Sequence, residues 1–149
     1  MIEYVICNIL DVSEGIIIYP LDTMSKYPRG MAFHLFNKYP NSNIYNTKYN
    51  LCLIPGKIIV TNNNPILIGF FMQIRYGSWN SYNNDSENNG QKYFGQCIEE
   101  LKKHIIDNDI TKNIYFKNYM DHFNWKEHML LIEKFASSIK NKVIICTGY

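Results

Sequence analysis

The chain has 149 residues, close to the commonest domain size, and its 46% apolar and 19% charged residues indicate a single globular domain over residues 1–149. The net charge of +2, spread over scattered lysines, argues against duplex nucleic acid as a partner. No apolar run approaches the roughly 20 residues that span a bilayer, and the start lacks a basic signal-peptide region, so we expect no membrane partner and a cytoplasmic location.

The spacing of cysteine and histidine argues against a metal site. The four cysteines are far apart and form no C-x-x-C pair: Cys7, Cys52, Cys97 and Cys146. His122 and His128 are six residues apart, which suits neither a helical pair of metal ligands nor a zinc-finger tail. We therefore expect buried thiols, no metal and no cofactor. Abundant Asn, Tyr, Ile and Lys are typical of an AT-rich genome, such as that of a phage or large virus. The sequence does not predict the oligomeric state.

The first part of the chain predicts two strands and a helix. Ile2 to Ile6 alternates, which predicts a strand with Asn8 at its carboxyl end. The apolar run from Ile16 to Tyr19 predicts a buried strand, followed by a polar loop from Asp22 to Gly30 and then by apolar residues at helical spacing. A loop that leaves a strand and opens a helix aims backbone N–H groups at one point, where a phosphate binds well.

The rest of the chain predicts a hairpin, two helices and two short strands. Residues 57–61 and 66–73 predict the hairpin, whereas 37–50 predicts a loop or irregular helix and 76–90 a surface loop rich in Asn, Ser and Gly. The remaining predicted elements are a helix from Gln91, a strand from Ile114 to Phe116, a helix from about Trp125 to Ser138 and a strand from Val143 to Cys146.

Strands interleaved with helices predict a mixed α/β sheet covered on both faces. In such sheets, ligands bind beyond the carboxyl ends of the strands. Four segments would lie there: Asn8, the Asp22 to Gly30 loop, the Phe116 to Trp125 loop and the tail from Cys146 to Tyr149. We therefore expect one cleft at this edge of the sheet.

In order and spacing, these segments resemble a macro domain, the ADP-ribose-binding module, in its compact phage, viral and bacterial branch. Cys7-Asn8-Ile9 stands where the family has a Gly-Asp-Ile/Leu turn, and Ile18 to Ala32 where it has an Asn-containing loop ending Gly-x-Gly-Ile-Ala. Phe71 to Gly77 is similar to the family's Met-Phe-Ala-Gln segment. The resemblance covers nearly the whole chain. It implies a three-layer α/β/α sandwich with a mixed central sheet and a ligand of the ADP-ribose type.

The chain departs from the family's pattern at the adenine-binding position and in both phosphate loops. Asn8 replaces the acid that binds adenine, Asp22 replaces the Asn that positions the distal ribose, and Pro28 replaces the first loop glycine. The second loop, usually Gly-Cys-Gly and a later Trp, is here the shorter, glycine-free segment from Phe116 to Trp125. Because backbone without glycine cannot approach a pyrophosphate as closely, side chains must replace the lost contacts, or the ligand must differ.

The resemblance implies site positions that also have ordinary structural explanations. Asp22 would be a general base or ribose anchor, or only a turn residue. Asp121 would be the catalytic acid of an ADP-ribosyl-glutamate hydrolase, or an Asp that stabilises a helix start. Arg29 would clamp a phosphate, or be a solvated loop arginine. The implied ligand contacts are Asn8, Ile9, Asp22, Tyr27, Arg29, Gly30, Met31, Ala32, Tyr119, Phe123 and Tyr149.

Three functions are open at this point, of which we favour the first. The chain would bind ADP-ribose or an NAD-derived nucleotide, including cyclic ADP-ribose-type signals, with little or no hydrolysis; in a phage or virus it would sequester an immune signal. Alternatively, it would be an ADP-ribose-1″-phosphate phosphatase or ADP-ribosyl hydrolase using Asp22 or Asp121. In the third case, Tyr119, Met120 and Phe123 would close the cleft of a ligand-free interaction scaffold.

Overall fold

The computed structural model describes residues 2–23, 27–46, 54–73, 87–118 and 125–148, and the elements below lie in these ranges. The strands are β1 (Ile2–Val5), β2 (Ile16–Asp22), β3 (Ile58–Thr61), β4 (Ile66–Gln73), β5 (Ile114–Lys117) and β6 (Val143–Cys146). The helices are α1 (Met31–Lys38), α2 (Glu87–Asp107) and α3 (Trp125–Ser137). Short 3-10 helices span Ile9–Asp11, Pro40–Ser42 and Ile44–Asn46.

The strands form a six-stranded sheet in the order β1-β6-β5-β2-β4-β3. Its first five strands in this order run parallel, and β3 pairs antiparallel with β4 as the predicted hairpin. Because parallel strands point the same way, the carboxyl ends of β1, β6, β5, β2 and β4 meet at one edge of the sheet. We call this the carboxyl edge.

Helices cover both faces of the sheet. One face packs against α2 and α3, through buried residues that include Ile16, Ile18, Phe70, Phe116, Phe94, Leu101 and Ile132. The other packs against α1 and the 3-10 helices, through residues that include Ile17, Tyr19, Ile144, Leu35, Phe36 and Ile9. The apolar run of β2 serves both faces because successive side chains on a strand alternate. The three-layer α/β/α sandwich with a mixed central sheet is therefore confirmed.

Two element boundaries differ from the sequence predictions by three or more residues. β2 continues through Pro20, so Asp22 ends the strand instead of beginning the loop, because β4 supplies pairing partners as far as Gln73. α2 begins at Glu87, which makes residues 87–90 helical although they were predicted as loop. Adding a turn to an existing helix requires no new nucleation, so weak local propensity suffices there.

Within the described ranges, no helix combines the length and apolar character that crossing a membrane requires. The same ranges contain no group of three or more His, Cys, Asp or Glu side chains placed to hold a metal ion.

Candidate functional site

Backbone hydrogen bonds join three of the predicted segments at the carboxyl edge. Thr147 N donates to Val5 O at 2.9 Å, and Gly148 N donates to Cys7 O at 3.0 Å. Asn118 N donates to Cys146 O at 2.8 Å. These bonds continue the pairing of β1, β6 and β5 past the strand ends. The segments after Cys7, Phe116 and Cys146 therefore begin next to each other at the carboxyl edge.

Gly148 sits where only glycine fits. A Cβ atom built there would lie 2.5 Å from Cys7 O and 2.8 Å from Cys7 C, both backbone atoms that cannot rotate away. The tail of the chain therefore approaches the turn after β1 by giving up a side chain. This close approach fixes the position of the Cys7-Asn8 turn.

Asn8 caps the 3-10 helix that follows it. Its Oδ1 accepts a hydrogen bond from Leu10 N at 3.0 Å. Because a backbone N–H can only donate, this bond fixes which end of the amide is oxygen. Within the described part of the chain, the Nδ2 donor of Asn8 has no hydrogen-bond partner. The position predicted to recognise a base therefore offers a donor.

The loop before α1 combines a cation with a helix start. Arg29 Nη2 donates to the Tyr27 hydroxyl at 2.7 Å, and the guanidinium carbon lies 4.7 Å from the centroid of the Tyr27 ring. Gly30 is the N-cap of α1 with φ 57° and ψ −129°, a backbone conformation that favours glycine. The first turn of α1 carries no acidic residue, so nothing in it offsets the positive helix end. This arrangement suits an anion.

Asp22 is only 5% exposed and ends β2 after a bulge that follows Leu21. Its charge acts on Tyr45. Burial raises the pKa of the Tyr45 hydroxyl to about 12, the Asp22 carboxylate raises it too, and Arg29 lowers it. Asp22, Arg29 and Tyr45 therefore share one electrostatic neighbourhood, in which Tyr45 stays protonated at neutral pH and can donate a hydrogen bond.

Tyr45 was not among the residues predicted from the sequence, because it lies in the polar segment 37–50. Its ring meets Phe36 edge to face, with centroids 6.3 Å apart, and its backbone N donates to Asn43 Oδ1 at 3.0 Å. The available signal was Asn43 two residues earlier, an arrangement typical of a side chain that shapes a local turn.

Other predicted residues around α1 and the first 3-10 helix differ in exposure. Ile9 and Ala32 are buried in the core on the α1 face, at 2% and 1% exposure. Met31 is half-buried, whereas Tyr27 is 58% exposed. Ile9 and Ala32 therefore expose almost no surface to a ligand, whereas the exposed Tyr27 and Arg29 are accessible to one.

Solved structures of known proteins share this architecture over the whole chain. The macrodomain of Thermus aquaticus DarG superposes with a TM-score of 0.73 at 15% identity, covering 99% of this chain and 98% of that chain. The macrodomain of Mycobacterium tuberculosis DarG gives 0.73 at 14% identity with the same coverage. A macrodomain protein from Streptomyces coelicolor gives 0.71 at 9% identity, covering 99% of each chain. The chain has the macrodomain fold. No family model matches its sequence, and no curated protein matches it either.

Part of the predicted site of this macrodomain fold lies outside the described residues. These positions are Tyr119, Met120, Asp121 and Phe123 in the second loop, and Tyr149 at the end of the tail. The described part of the predicted site consists of two groups at the carboxyl edge. One is the Asn8 turn bound to Gly148, and the other is Asp22 with Tyr45, Arg29 and the start of α1.

Proposed function

We propose that this chain binds ADP-ribose or a closely related NAD-derived nucleotide at the carboxyl edge. The proposal rests on the positions of three features. Asn8, Asp22 and the amino end of α1 lie at the same edge of a macrodomain fold. These are the positions at which the sequence resemblance implies base, ribose and phosphate contacts. The similar solved structures are macrodomains, which supports the same class of ligand.

The diphosphate would bind at the start of α1. Its negative charge would meet the Arg29 guanidinium and the first N–H groups of α1, after Gly30. The hydrogen bond and cation–π contact with Tyr27 restrict the Arg29 side chain before any ligand arrives, so less conformational entropy is lost on binding. This loop would carry much of the affinity.

The burial of Asp22 favours binding over hydrolysis. A general base must reach a water molecule beside the scissile bond, but only 5% of Asp22 is exposed. A nearly buried carboxylate that shares its electrostatic neighbourhood with the Tyr45 hydroxyl is better suited to accept one hydrogen bond from a ribose hydroxyl than to activate a water molecule. We therefore propose a binding protein, and an AT-rich phage or virus would use it to sequester an NAD-derived signal. Hydrolysis through Asp22 or Asp121 is the alternative outcome of the test.

The test is calorimetry with ADP-ribose and cyclic ADP-ribose, followed by chromatography of the recovered ligand. We expect saturable heat with at least one of them and recovery of that ligand intact. No heat with either nucleotide would refute the proposal and support a ligand-free scaffold. Conversion of ADP-ribose derivatives that stops in Asp22→Asn or Asp121→Asn would show that the chain is a hydrolase.

Arg29→Ala should weaken ADP-ribose binding by roughly 10- to 100-fold, because a charge-assisted hydrogen bond contributes about 1.5–3 kcal/mol. Arg29→Lys should restore only part of this loss, since lysine keeps the charge without the planar pair of donors. Lys112→Ala is the matched control, because it removes the same charge just before β5, at the opposite edge of the sheet. Titration calorimetry measures all three, and equal affinities for Arg29→Ala and Lys112→Ala would contradict the phosphate role.

Asn8→Asp should shift base preference toward adenine. Asp keeps the oxygen that caps the 3-10 helix but replaces the Nδ2 donor with an acceptor for the exocyclic amine of adenine. We expect the ratio of affinities for ADP-ribose and its hypoxanthine analogue to rise about 5- to 30-fold, as one exchanged hydrogen bond predicts. Glu14→Gln, on the exposed turn before β2, is the control. An unchanged ratio would place the base elsewhere.

A further inference from the structure

Two free thiols face each other at the carboxyl edge. Cys7 Sγ lies 3.0 Å from Cys146 Sγ, although the two residues are 139 positions apart in the chain. Cys7 is half-buried and Cys146 is buried at the end of β6. A disulfide bond joins its sulfur atoms at about 2.05 Å, so these two need to move only about 1 Å closer.

The backbone holds the two cysteines in this relation. Val5 and Cys146 are register partners in the β1–β6 ladder, and the hydrogen bonds from Thr147 N to Val5 O and from Gly148 N to Cys7 O continue past it. The absent side chain of Gly148 permits this approach. Backbone pairing, and not only the side-chain rotamers, therefore brings the two thiols together.

We propose that Cys7 and Cys146 are a redox modification site that forms a reversible disulfide when the protein meets a peroxide. The Cys7 thiolate attacks one peroxide oxygen, which gives a sulfenic acid on Cys7 and releases water after proton transfer. The Cys146 sulfur then attacks the Cys7 sulfur, the S–O bond breaks, and a second water leaves. Two thiols and one hydrogen peroxide thus give one disulfide and two waters, and a dithiol reductant reverses the change.

The environments of the two sulfurs support this order of events. Cys7 is the partly accessible thiol, so a small oxidant reaches it first. Burial and, to a smaller extent, the neighbouring Cys7 thiol raise the pKa of the Cys146 thiol, so it is a poor first nucleophile but lies within reach of an oxidised Cys7. Formation of this disulfide requires no nucleotide ligand and so does not depend on the proposed function.

Cys97 provides an internal comparison. It lies in α2, with its Sγ 3.4 Å from Lys57 O and 3.8 Å from Phe71 O. Burial raises the pKa of its thiol, and its hydrogen bonds within the described ranges go to these carbonyl oxygens and not to another thiol. Cys97 should therefore stay reduced under conditions that oxidise Cys7.

Peptide mapping of the full chain tests the inference. The protein is treated with hydrogen peroxide, its remaining thiols are blocked with N-ethylmaleimide, and it is digested with trypsin. Cleavage after Lys and Arg places the four cysteines in separate peptides, residues 1–26, 49–57, 93–102 and 143–149. We expect peptide 1–26 linked to peptide 143–149 as the main disulfide product, and separation of the two by dithiothreitol.

Two variants sharpen the result. Cys97→Ser should form the same linked pair, whereas Cys7→Ser should form none and should leave Cys146 alkylated after unfolding. Recovery of Cys7 as free thiol, as sulfinic or sulfonic acid, or linked to Cys52 or Cys97, would overturn the proposal. The wild-type map alone decides between these outcomes, so the test does not depend on the stability of a variant.

Discussion

Lowering the pH from 7 to 4 should remove up to about 3 kcal/mol of folding free energy through His128 alone. Its imidazole is fully buried and stacks on Phe94, with ring centroids 4.0 Å apart and 11° between the planes. Neither ring nitrogen has a hydrogen-bond partner within the described residues. Burial therefore lowers the pKa of His128 from 6.5 to about 4.

The sign of the effect follows from where the proton binds. Between pH 6.5 and 4, the unfolded chain takes up a proton at residue 128 while the folded chain excludes it. Protonation therefore favours unfolding throughout this window. The contribution of neutral His128 is complete above pH 6.5 and is lost as the pH falls to about 4.

Urea unfolding at a series of pH values between 7 and 4 measures this loss. His128→Phe keeps an aromatic ring against Phe94 but cannot titrate, so its stability should fall less over the same window. The difference between the two pH profiles isolates the histidine from the carboxylates. His34→Phe, at an exposed position of α1, should instead follow the native profile. Equal profiles for His128→Phe and the native chain would show that His128 takes up its proton in the folded state.

Most of the fold could be predicted because its signals are local. Four successive apolar residues from Ile16 to Tyr19 predict a buried strand wherever they occur, and the three-and-four spacing of α2 predicts one apolar face. The extension of β2 through Pro20 is different, since it depends on pairing with β4, about 50 residues later. Short-range patterns carry no information about such a partner.

The same difference between local patterns and long-range packing applies to the candidate site. Asn8 and Asp22 could be assigned to the carboxyl edge because each comes directly after an apolar run, and parallel strands bring such positions together. The electrostatic effect of Asp22 on Tyr45 and the contact between Gly148 and Cys7 depend on packing between distant segments. The cysteines were predicted as separate buried thiols, but the structure places Cys7 and Cys146 side by side.

Replacing Phe70 with alanine should lower the free energy of unfolding by about 3–5 kcal/mol, the usual cost of removing a buried aromatic ring. Phe70 lies in β4, is completely buried, and packs edge to face against two other rings. Its centroid is 5.7 Å from that of Phe94 on α2 and 6.3 Å from that of Phe116 on β5. The cavity would thus open between the sheet and the helix layer, where three elements meet.

Chemical denaturation checks this prediction, with Phe33→Ala as the control because Phe33 is 46% exposed on α1. A loss below about 1 kcal/mol for Phe70→Ala would mean that the surrounding core collapses into the space.

The predictions for Phe70 and His128 are also coupled, since Phe94 packs against both residues. Without Phe70, the Phe94 ring gains freedom, the stack on His128 loosens, and water reaches the imidazole more easily. Its pKa should then move back toward 6.5, so the loss of stability between pH 6.5 and 4 should be smaller in Phe70→Ala than in the native chain.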